Sequence, residues 1–455
     1  MFNVNRFRNK VFQYVSAFTA CLSILSSEMH FGWPSTALPI LTDNDTHIFQ
    51  ISHNEASWLA VAIFPGIVVG AVVAKCFAKS CGPRKLILST ALPMLVSWLL
   101  IGFSGDKISY FVGRFLGGIG SGISFSTVPM YIGEISEPQI RGFLSSLCPV
   151  FVVFGMLFIN VLCRLFSISI SALIASSIPL INFVTFFWMP ESPIWLLSKE
   201  ESKKAKENLI VLRGQDNGLK EFERLSALNL QSTEEKTEFL QFFKAKENKK
   251  ALLIALGLRS VQQLCGSTAL TFYCQTIFRE NDKILSPGSA TIIFFCLQAV
   301  FSVFSSFIVD IFGRRPLFLV SLSCTTLTLL VLALYTFIKS YTSIDLENIS
   351  ILAPVTLLIN VIFLSLGVRN IPLLVMSEIF NPKFKPLALS IATIYYAFLA
   401  IIITQFFRIT KDAIDLSFPL FCFTGFSLVS LVLYYFFVPE TNNKTLEDIQ
   451  KTLQT

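Results

Sequence analysis

The sequence predicts an all-α membrane protein with twelve transmembrane helices in two six-helix bundles. Three observations lead there. Of 455 residues, 53% are hydrophobic and only 14% charged, with a mean hydropathy of +0.66, against about 25% charged in an ordinary soluble domain. A helix needs about 20 mostly apolar residues to cross a bilayer, so twelve need about 240, close to 53% of this chain. The apolar segments also fall into two groups of six, parted by a charged stretch. Collagen-like, disordered and disulfide-scaffold classes are excluded by the same composition.

The first group of expected spans covers 11–40, 57–78, 86–103, 108–133, 144–165 and 168–189. The second covers 251–278, 288–312, 316–338, 351–377, 386–408 and 415–438. Behind the basic residues Arg6, Arg8 and Lys10 the apolar run is long and carries no convincing cleavage site, which reads as a retained first span. Between the groups, lysines such as Lys203, Lys204, Lys249 and Lys250 interleave with Glu200, Glu201, Glu234 and Glu235. That composition suits a water-exposed linker with amphipathic helices. The expected plan is an N-terminal bundle over 1–190, a cytoplasmic linker over 191–250, a C-terminal bundle over 251–439 and a short tail over 440–455.

The formal charge of +7 is modest and reads as orientation bias, with no nucleic-acid partner. Arg84 and Lys85, Arg314 and Arg315, and Lys383 and Lys385 fall on one side with the central segment. The loop at 41–56 has Asp43, Asp45 and Glu55 and no Lys or Arg. The positive-inside rule then places both termini in the cytoplasm, and the plasma membrane is the expected location. Asn44-Asp45-Thr46 and Asn348-Ile349-Ser350 are glycosylation acceptors in expected outside loops, whereas Asn443-Lys444-Thr445 lies in the expected cytoplasmic tail. The ten cysteines have no metal-site spacing and read as small buried apolar residues, and the three histidines all fall early. No nucleophile–base pair or filter-like segment stands out, so neither an enzyme nor an ion channel is expected. No cofactor, metal or obligate protein partner is implied beyond the lipid bilayer.

The two halves share punctuation. Gly82-Pro83-Arg84-Lys85 follows the second span, and Asp310-Ile311-Phe312-Gly313-Arg314-Arg315 follows the eighth. Glu134 precedes Arg141 as Glu378 precedes Lys385. Pro190-Glu191-Ser192-Pro193 ends the sixth span and Pro439-Glu440-Thr441 the twelfth. Two repeated bundles around a midplane site is the layout of many secondary transporters. A carrier opens to one side at a time, so its closed side needs contacts that break. Exposed ion pairs, worth about 0–1 kcal/mol each, suit that task. Arg84, Glu134, Arg141 and Glu191 in one half, with Asp310, Arg314, Arg315, Glu378, Lys385 and Glu440 in the other, form the expected gating latch.

At these residues the chain resembles the sugar porters of the major facilitator superfamily. The resemblance rests on Gly113-Arg114 with Gly117, Gly118, Gly120 and Gly122, on Pro129 to Glu134, and on Arg141-Gly142. Pro190 to Pro193 with Trp195-Leu196-Leu197 add to it, as do Gln262-Gln263 with Gly266 and Tyr273. Asp310 to Arg315 and Pro439-Glu440-Thr441 with Lys444 to Glu447 complete the set. Gly32-Trp33-Pro34-Ser35 through Leu38-Pro39 resemble the arthropod branch of facilitated glucose and trehalose transporters. The resemblance implies a major facilitator fold and a carrier for a hexose, trehalose or a related polyol.

A sugar both donates and accepts hydrogen bonds, so its site wants amides, hydroxyls and an aromatic platform in an apolar cavity. Gln262 and Gln263 interrupt the apolar seventh span, and the resemblance implies that they bind the sugar ring. Gln298 stands where sugar porters carry an amide. Thr268, Phe272 and Tyr273 continue the seventh-span face, and Tyr396 marks the eleventh. Departures accompany these matches. Pro149 stands where the family offers a glutamine, and Gly367 to Leu373 lacks the platform tryptophan. Lys79 and Pro83 replace the usual aspartate and arginine of the first-half loop. Arg369, in an otherwise apolar tenth span, is expensive unless it faces a cavity or partner. Glu28, two residues from His30, is the nearest acid to the place where proton-driven relatives carry one, which here is Pro34. Three functions stay open: facilitated diffusion by alternating access, proton-coupled symport, and a non-transporting sugar sensor.

Overall fold

The computed structural model describes residues 11–42, 51–103, 105–137, 139–229, 242, 246–279, 286–342, 349–380, 385–438 and 440. Asn44 and Asn348 lie outside the described residues, as do the side chains of Asp310 and Lys385. Among the described residues the chain is about 90% helical and has no strand. Nine helices among the described residues are long and apolar enough to cross a membrane, from His53–Cys81 to Ser417–Phe436. Three more columns make twelve: the first, Val11–Leu41; the fourth, Lys107–Ile135; and the seventh, Lys246–Leu264 with Ser267–Arg279.

Those three fall short of the apolar threshold for a physical reason. Many of their polar residues are buried against other helices. The first column buries Ser16, Ser23, Ser26, Ser27, Glu28, His30 and Ser35 among its neighbours. The eighth column, Pro287–Phe312, illustrates the opposite balance. Val300, Phe304, Phe307 and Ile311 form an exposed stripe at helical spacing, while Gln298, Ser302 and Ser305 are buried on the other face.

Backbone approach is closest between the second and fourth columns. A Cβ added at Gly118 or Gly122 would sit 2.1 or 2.2 Å from a carbonyl oxygen of Ile63 or Ile67, so these small residues let the helices touch. Arg114 lies in the same column, fully buried. Its Nε donates to Leu59 O at 3.3 Å, its Nη2 to Ala60 O at 2.8 Å, and its Nη1 to His30 O.

The halves meet where the first column packs on Ser267–Arg279 of the seventh, the second on the eleventh (Lys385–Ala413) and the fifth (Arg141–Leu165) on the eighth. One apolar cluster runs across both halves, through Phe31, Phe64, Met156, Phe272, Phe294 and Phe423. Each half also has a cluster of its own, around Tyr131 and Phe186 in one and around Phe318 and Tyr434 in the other. Between the halves the chain forms short helices Pro193–Ser198, Ser202–Arg213 and Gln215–Asn229. Arg213 pairs there with Glu221 at 3.3 Å.

The repeat is visible in detail at one end of the bundle. Gly82 and Gly313 both have positive φ, 81° and 87°, and each precedes a helix. Glu191 Oε1 accepts from Arg84 N at 3.0 Å; Glu440 accepts from Arg314 N at 3.1 Å and Arg315 N at 2.9 Å. The Arg84 guanidinium donates to Phe187 O and lies 5.8 Å from that residue's ring; Arg315 donates to Tyr435 O and lies 5.4 Å from its ring. The same clasp is built twice.

The described contacts of the expected latch residues are of several kinds. Glu191 and Glu440 cap the N-termini of the third and ninth columns, where free N–H groups and the helix dipole favour an anion. The guanidinium groups of Arg84 and Arg315 go to carbonyls. Arg314–Glu378, at 2.9 Å, is the described ion pair within the set. Arg141 reaches Ser136 O at 3.4 Å, and Glu134 Oε2 is buried without a hydrogen bond. The contacts described for these residues run within each half.

Candidate functional site

The seventh column breaks where the sequence placed its amides. Gln262 and Gln263 end the segment Lys246–Leu264, and Gly266, with φ 76°, turns the chain into Ser267–Arg279. A Cβ at Gly266 would lie 2.4 Å from Phe423 Cδ2, so both backbone angle and space require glycine. The tenth column breaks at the same level. Leu352–Phe363 passes through a π-helical turn, Leu364–Val368, before Ile371–Ile379, and Arg369 sits at the join. Breaks of this kind free backbone groups where a carrier binds its substrate.

A chain of contacts links six columns at this level. Gln298 Nε2 is 3.6 Å from Met156 Sδ, and Arg369 Nη2 is 3.5 Å from the same sulfur. Gln262 Nε2 donates to Arg369 O at 2.8 Å, and Gln262 Oε1 accepts from Arg259 Nη1 at 2.8 Å. The Arg259 guanidinium lies 4.9 Å from the Tyr396 ring centre, and the Tyr396 hydroxyl is 3.5 Å from Thr268 Oγ1. Glu28 of the first column lies within electrostatic reach of Arg369. The fifth, seventh, eighth, tenth and eleventh columns supply the rest.

Several polar atoms here have no partner. Gln263 is fully buried with neither amide atom hydrogen-bonded; Gln298 Oε1 and Arg259 Nε are bare as well. A buried polar group left unpaired costs about 1–3 kcal/mol. A hydroxyl-bearing guest both accepts from and donates to such an amide.

The expected site residues divide into two groups. Gln262, Gln263, Thr268, Gln298 and Tyr396 gather at the breaks. Phe272 and Tyr273 lie further along, at the Leu41 end. Phe272 is buried against Phe31 of the first column at 4.8 Å and Phe64 of the second at 6.0 Å. Tyr273 stacks on Phe407 at 5.5 Å and lines a cleft of about 220 Å³ with Leu38, Arg279 and Arg408. Pro149 lies within the fifth column. That column's contribution to the site is Met156, with Asn160 one turn on accepting from Thr36 at 2.5 Å and donating to Gly32 O at 3.1 Å.

Glu28 and His30 point apart, as their spacing requires. His30 Nε2 meets Ser97 Oγ at 2.7 Å, its Nδ1 meets Ser26 O at 2.9 Å, and its ring lies 4.0 Å from Trp98. Two features were not expected. Arg259 stands one turn before Gln262, signalled by a lone cation in an apolar run. At the Leu41 end, Arg408 Nη1 donates to Asn54 Oδ1 at 2.6 Å and Ser57 Oγ at 3.0 Å. Ser57 Oγ donates in turn to Gln405 Oε1 at 3.1 Å, and Gln405 Nε2 to Ser57 O at 3.1 Å. This clasp ties the second column to the eleventh. Its signal is polar residues, Gln405 and Arg408, inside an apolar span.

Comparison with known proteins fixes the class. The chain belongs to the sugar (and other) transporter family, whose profile matches residues 7–453, and is a multi-pass membrane protein. The facilitated trehalose transporter Tret1 of Drosophila virilis is 31% identical over 446 residues, covering 97% of this chain and 48% of that protein. Tret1 of Bombyx mori is 30% identical over 445 residues, covering 97% and 86%. The chain spans about half the length of the Drosophila relatives it matches. The solved proton:xylose symporter XylE bound to 6-bromo-6-deoxy-D-glucose superimposes with a TM-score of 0.77 at 19% identity, over 97% of this chain and 99% of that one. XylE from E. coli in an inward open conformation gives 0.78 at 19% identity, over 96% and 98%. The shared feature is the twelve-helix major facilitator fold.

Proposed function

We propose that this chain carries a sugar across a membrane by alternating access, as facilitated diffusion, with the central site at the two helix breaks. The observation that carries the reading is a pair of buried amides on neighbouring columns at the level where the halves meet, Gln263 with neither amide atom partnered and Gln298 with its Oε1 bare. Trehalose and glucose are the first solutes to test, since the curated relatives are facilitated trehalose transporters. In this reading 1–190 and 251–439 are the rocking bundles, 191–250 is the cytoplasmic linker and 440–455 the tail. Both termini are cytoplasmic and the plasma membrane is the site of action. Asn44 and Asn348 are the glycosylation acceptors of outside loops.

The Arg408 clasp and the apolar cluster around Phe31, Phe64 and Phe272 then close the outer side. The repeated Gly–Glu clasps act within each half, holding the third and sixth columns, and the ninth and twelfth, as rigid units during rocking. Arg314–Glu378 ties the tenth column to the ninth in the same way.

Radiolabelled trehalose and glucose uptake into proteoliposomes holding the purified chain tests this reading. Saturable entry in the wild type, with Gln263→Ala lowering uptake about tenfold or more, is expected. Binding without entry selects a sensor instead. Entry that collapses when the pH gradient is dissipated, and becomes insensitive to it in Glu28→Gln, selects a symporter.

A further inference from the structure

The central site holds more positive charge than a neutral sugar requires. Two arginines border it, Arg259 from the seventh column and Arg369 from the tenth: Gln262 accepts from the Arg259 guanidinium and donates to the Arg369 backbone carbonyl, and the Arg259 guanidinium lies over the Tyr396 ring. One carboxyl group, Glu28, lies within electrostatic reach of Arg369 without a hydrogen bond to it. The described surroundings hold no second acid.

Comparison with Arg114 makes the imbalance plain. That arginine is also buried in a span, but three carbonyls accept from its three nitrogens, and its role ends in packing. Arg259 has one neutral acceptor, the Gln262 amide oxygen, and its Nε is bare. Arg369 has a thioether, a weak acceptor, while its surface stays partly accessible deep inside the protein. A charged side chain at mid-membrane costs at least a few kcal/mol unless it is paired. Neither guanidinium has an acidic partner within ion-pair distance among the described residues.

We infer that the central site selects a sugar acid, a hexose-sized molecule bearing one carboxylate, and that Arg259 and Arg369 grip that carboxylate. This rests on the carrier reading above and names its substrate class. A guanidinium presents parallel N–H donors that fit a carboxylate in a fork. Gln263 and Gln298, with their free amide atoms, meet the ring hydroxyls. The flat fork matches a planar carboxylate, a monoanion, which separates it from a phosphate ester at about −1.5 to −2. The outer cleft is lined by Arg279, Arg408 and Lys411 against Asp412, a balance that draws anions toward the path.

Uptake and competition in proteoliposomes decide the matter, with labelled D-glucuronate, D-glucose and D-glucose 6-phosphate as probes. The expected result is glucuronate entry more efficient than glucose entry, with unlabelled glucuronate competing against labelled glucose. Arg259→Gln and Arg369→Gln each lower the glucuronate-to-glucose ratio of kcat/KM about tenfold or more, and Arg259→Lys lowers it less. The wild-type competition stands alone should the variants fail to reach the membrane. If glucose or trehalose enters while glucuronate neither enters nor competes, the sugar-acid assignment is overturned and the carrier stands. Preference for glucose 6-phosphate overturns the monoanion assignment. If no solute enters, both readings fall.

Discussion

Two buried polar side chains, Arg114 and Gln263, differ in whether their hydrogen bonds are already made, and the difference predicts opposite responses to substitution. Arg114 spends its donors on three carbonyls of the first and second columns. Arg114→Gln should therefore cut the yield of folded, membrane-inserted protein severely, since each hydrogen bond to a charged group is worth about 1.5–3 kcal/mol. Size-exclusion profiles in detergent read that outcome. Gln263→Ala should do the opposite: fold as well as wild type, because its amide has no partner to lose, and fail in uptake. A matched thermal midpoint with lost uptake confirms the division; a lowered midpoint contradicts it. Gln262 and Gln263 were legible in the sequence because adjacent amides are costly in an apolar run. Arg259 was not, since a cation has no task in neutral-sugar recognition and only its contact with Gln262 gives it one.

At the scale of elements, the duplicated clasp is the clearest structural rule. A glycine at φ 81° or 87°, with ψ near 160°, holds a conformation essentially restricted to glycine. It also leaves room for the carboxylate that caps the following helix. A Cβ at Gly313 would meet Glu440 Oε2 at 3.0 Å, and one at Gly82 would meet Glu191 Oε2 at 2.8 Å. Gly313→Ala should destabilise the protein by about 1–3 kcal/mol, seen as a lowered unfolding temperature in detergent. Gly425→Ala, where a Cβ meets nothing within 4 Å, should leave that temperature unchanged or raise it. The motif order in the sequence located both clasps. Their chemistry was not legible, because charged residues of both signs at the helix ends suggest ion pairs, whereas the fold brings Glu191 and Glu440 to backbone N–H groups. The helix breaks were likewise hidden. Hydropathy runs on through Gly266 and through Leu364–Val368, and a π-turn has no signature in composition.

For the whole molecule, the sequence made the two bundles visible through grouped apolar runs and repeated punctuation. The three less apolar columns follow from the same logic, since the helices around the central site have protein neighbours on most sides. Which face is closed was beyond the sequence, because closure depends on pairs such as Ser57 with Gln405, 348 residues apart. Opening that clasp should shift the balance between states. Cys274 is fully buried, 3.0 Å from Ser35 Oγ of the other half. Arg408→Ala should raise the rate of its alkylation by a membrane-impermeant maleimide several-fold, with Cys274→Ser as the control for the remaining cysteines. An unchanged rate means the clasp does not hold the outer side.

Counterflow tests rocking between two faces most directly. Proteoliposomes loaded with unlabelled sugar are diluted into a trace of the same labelled sugar, run in turn with glucose, trehalose and glucuronate. Alternating access predicts that the tracer transiently accumulates above its equilibrium level and then declines, and that Gln263→Ala abolishes the overshoot. Tracer that binds without entering, or enters without any overshoot, would contradict the account.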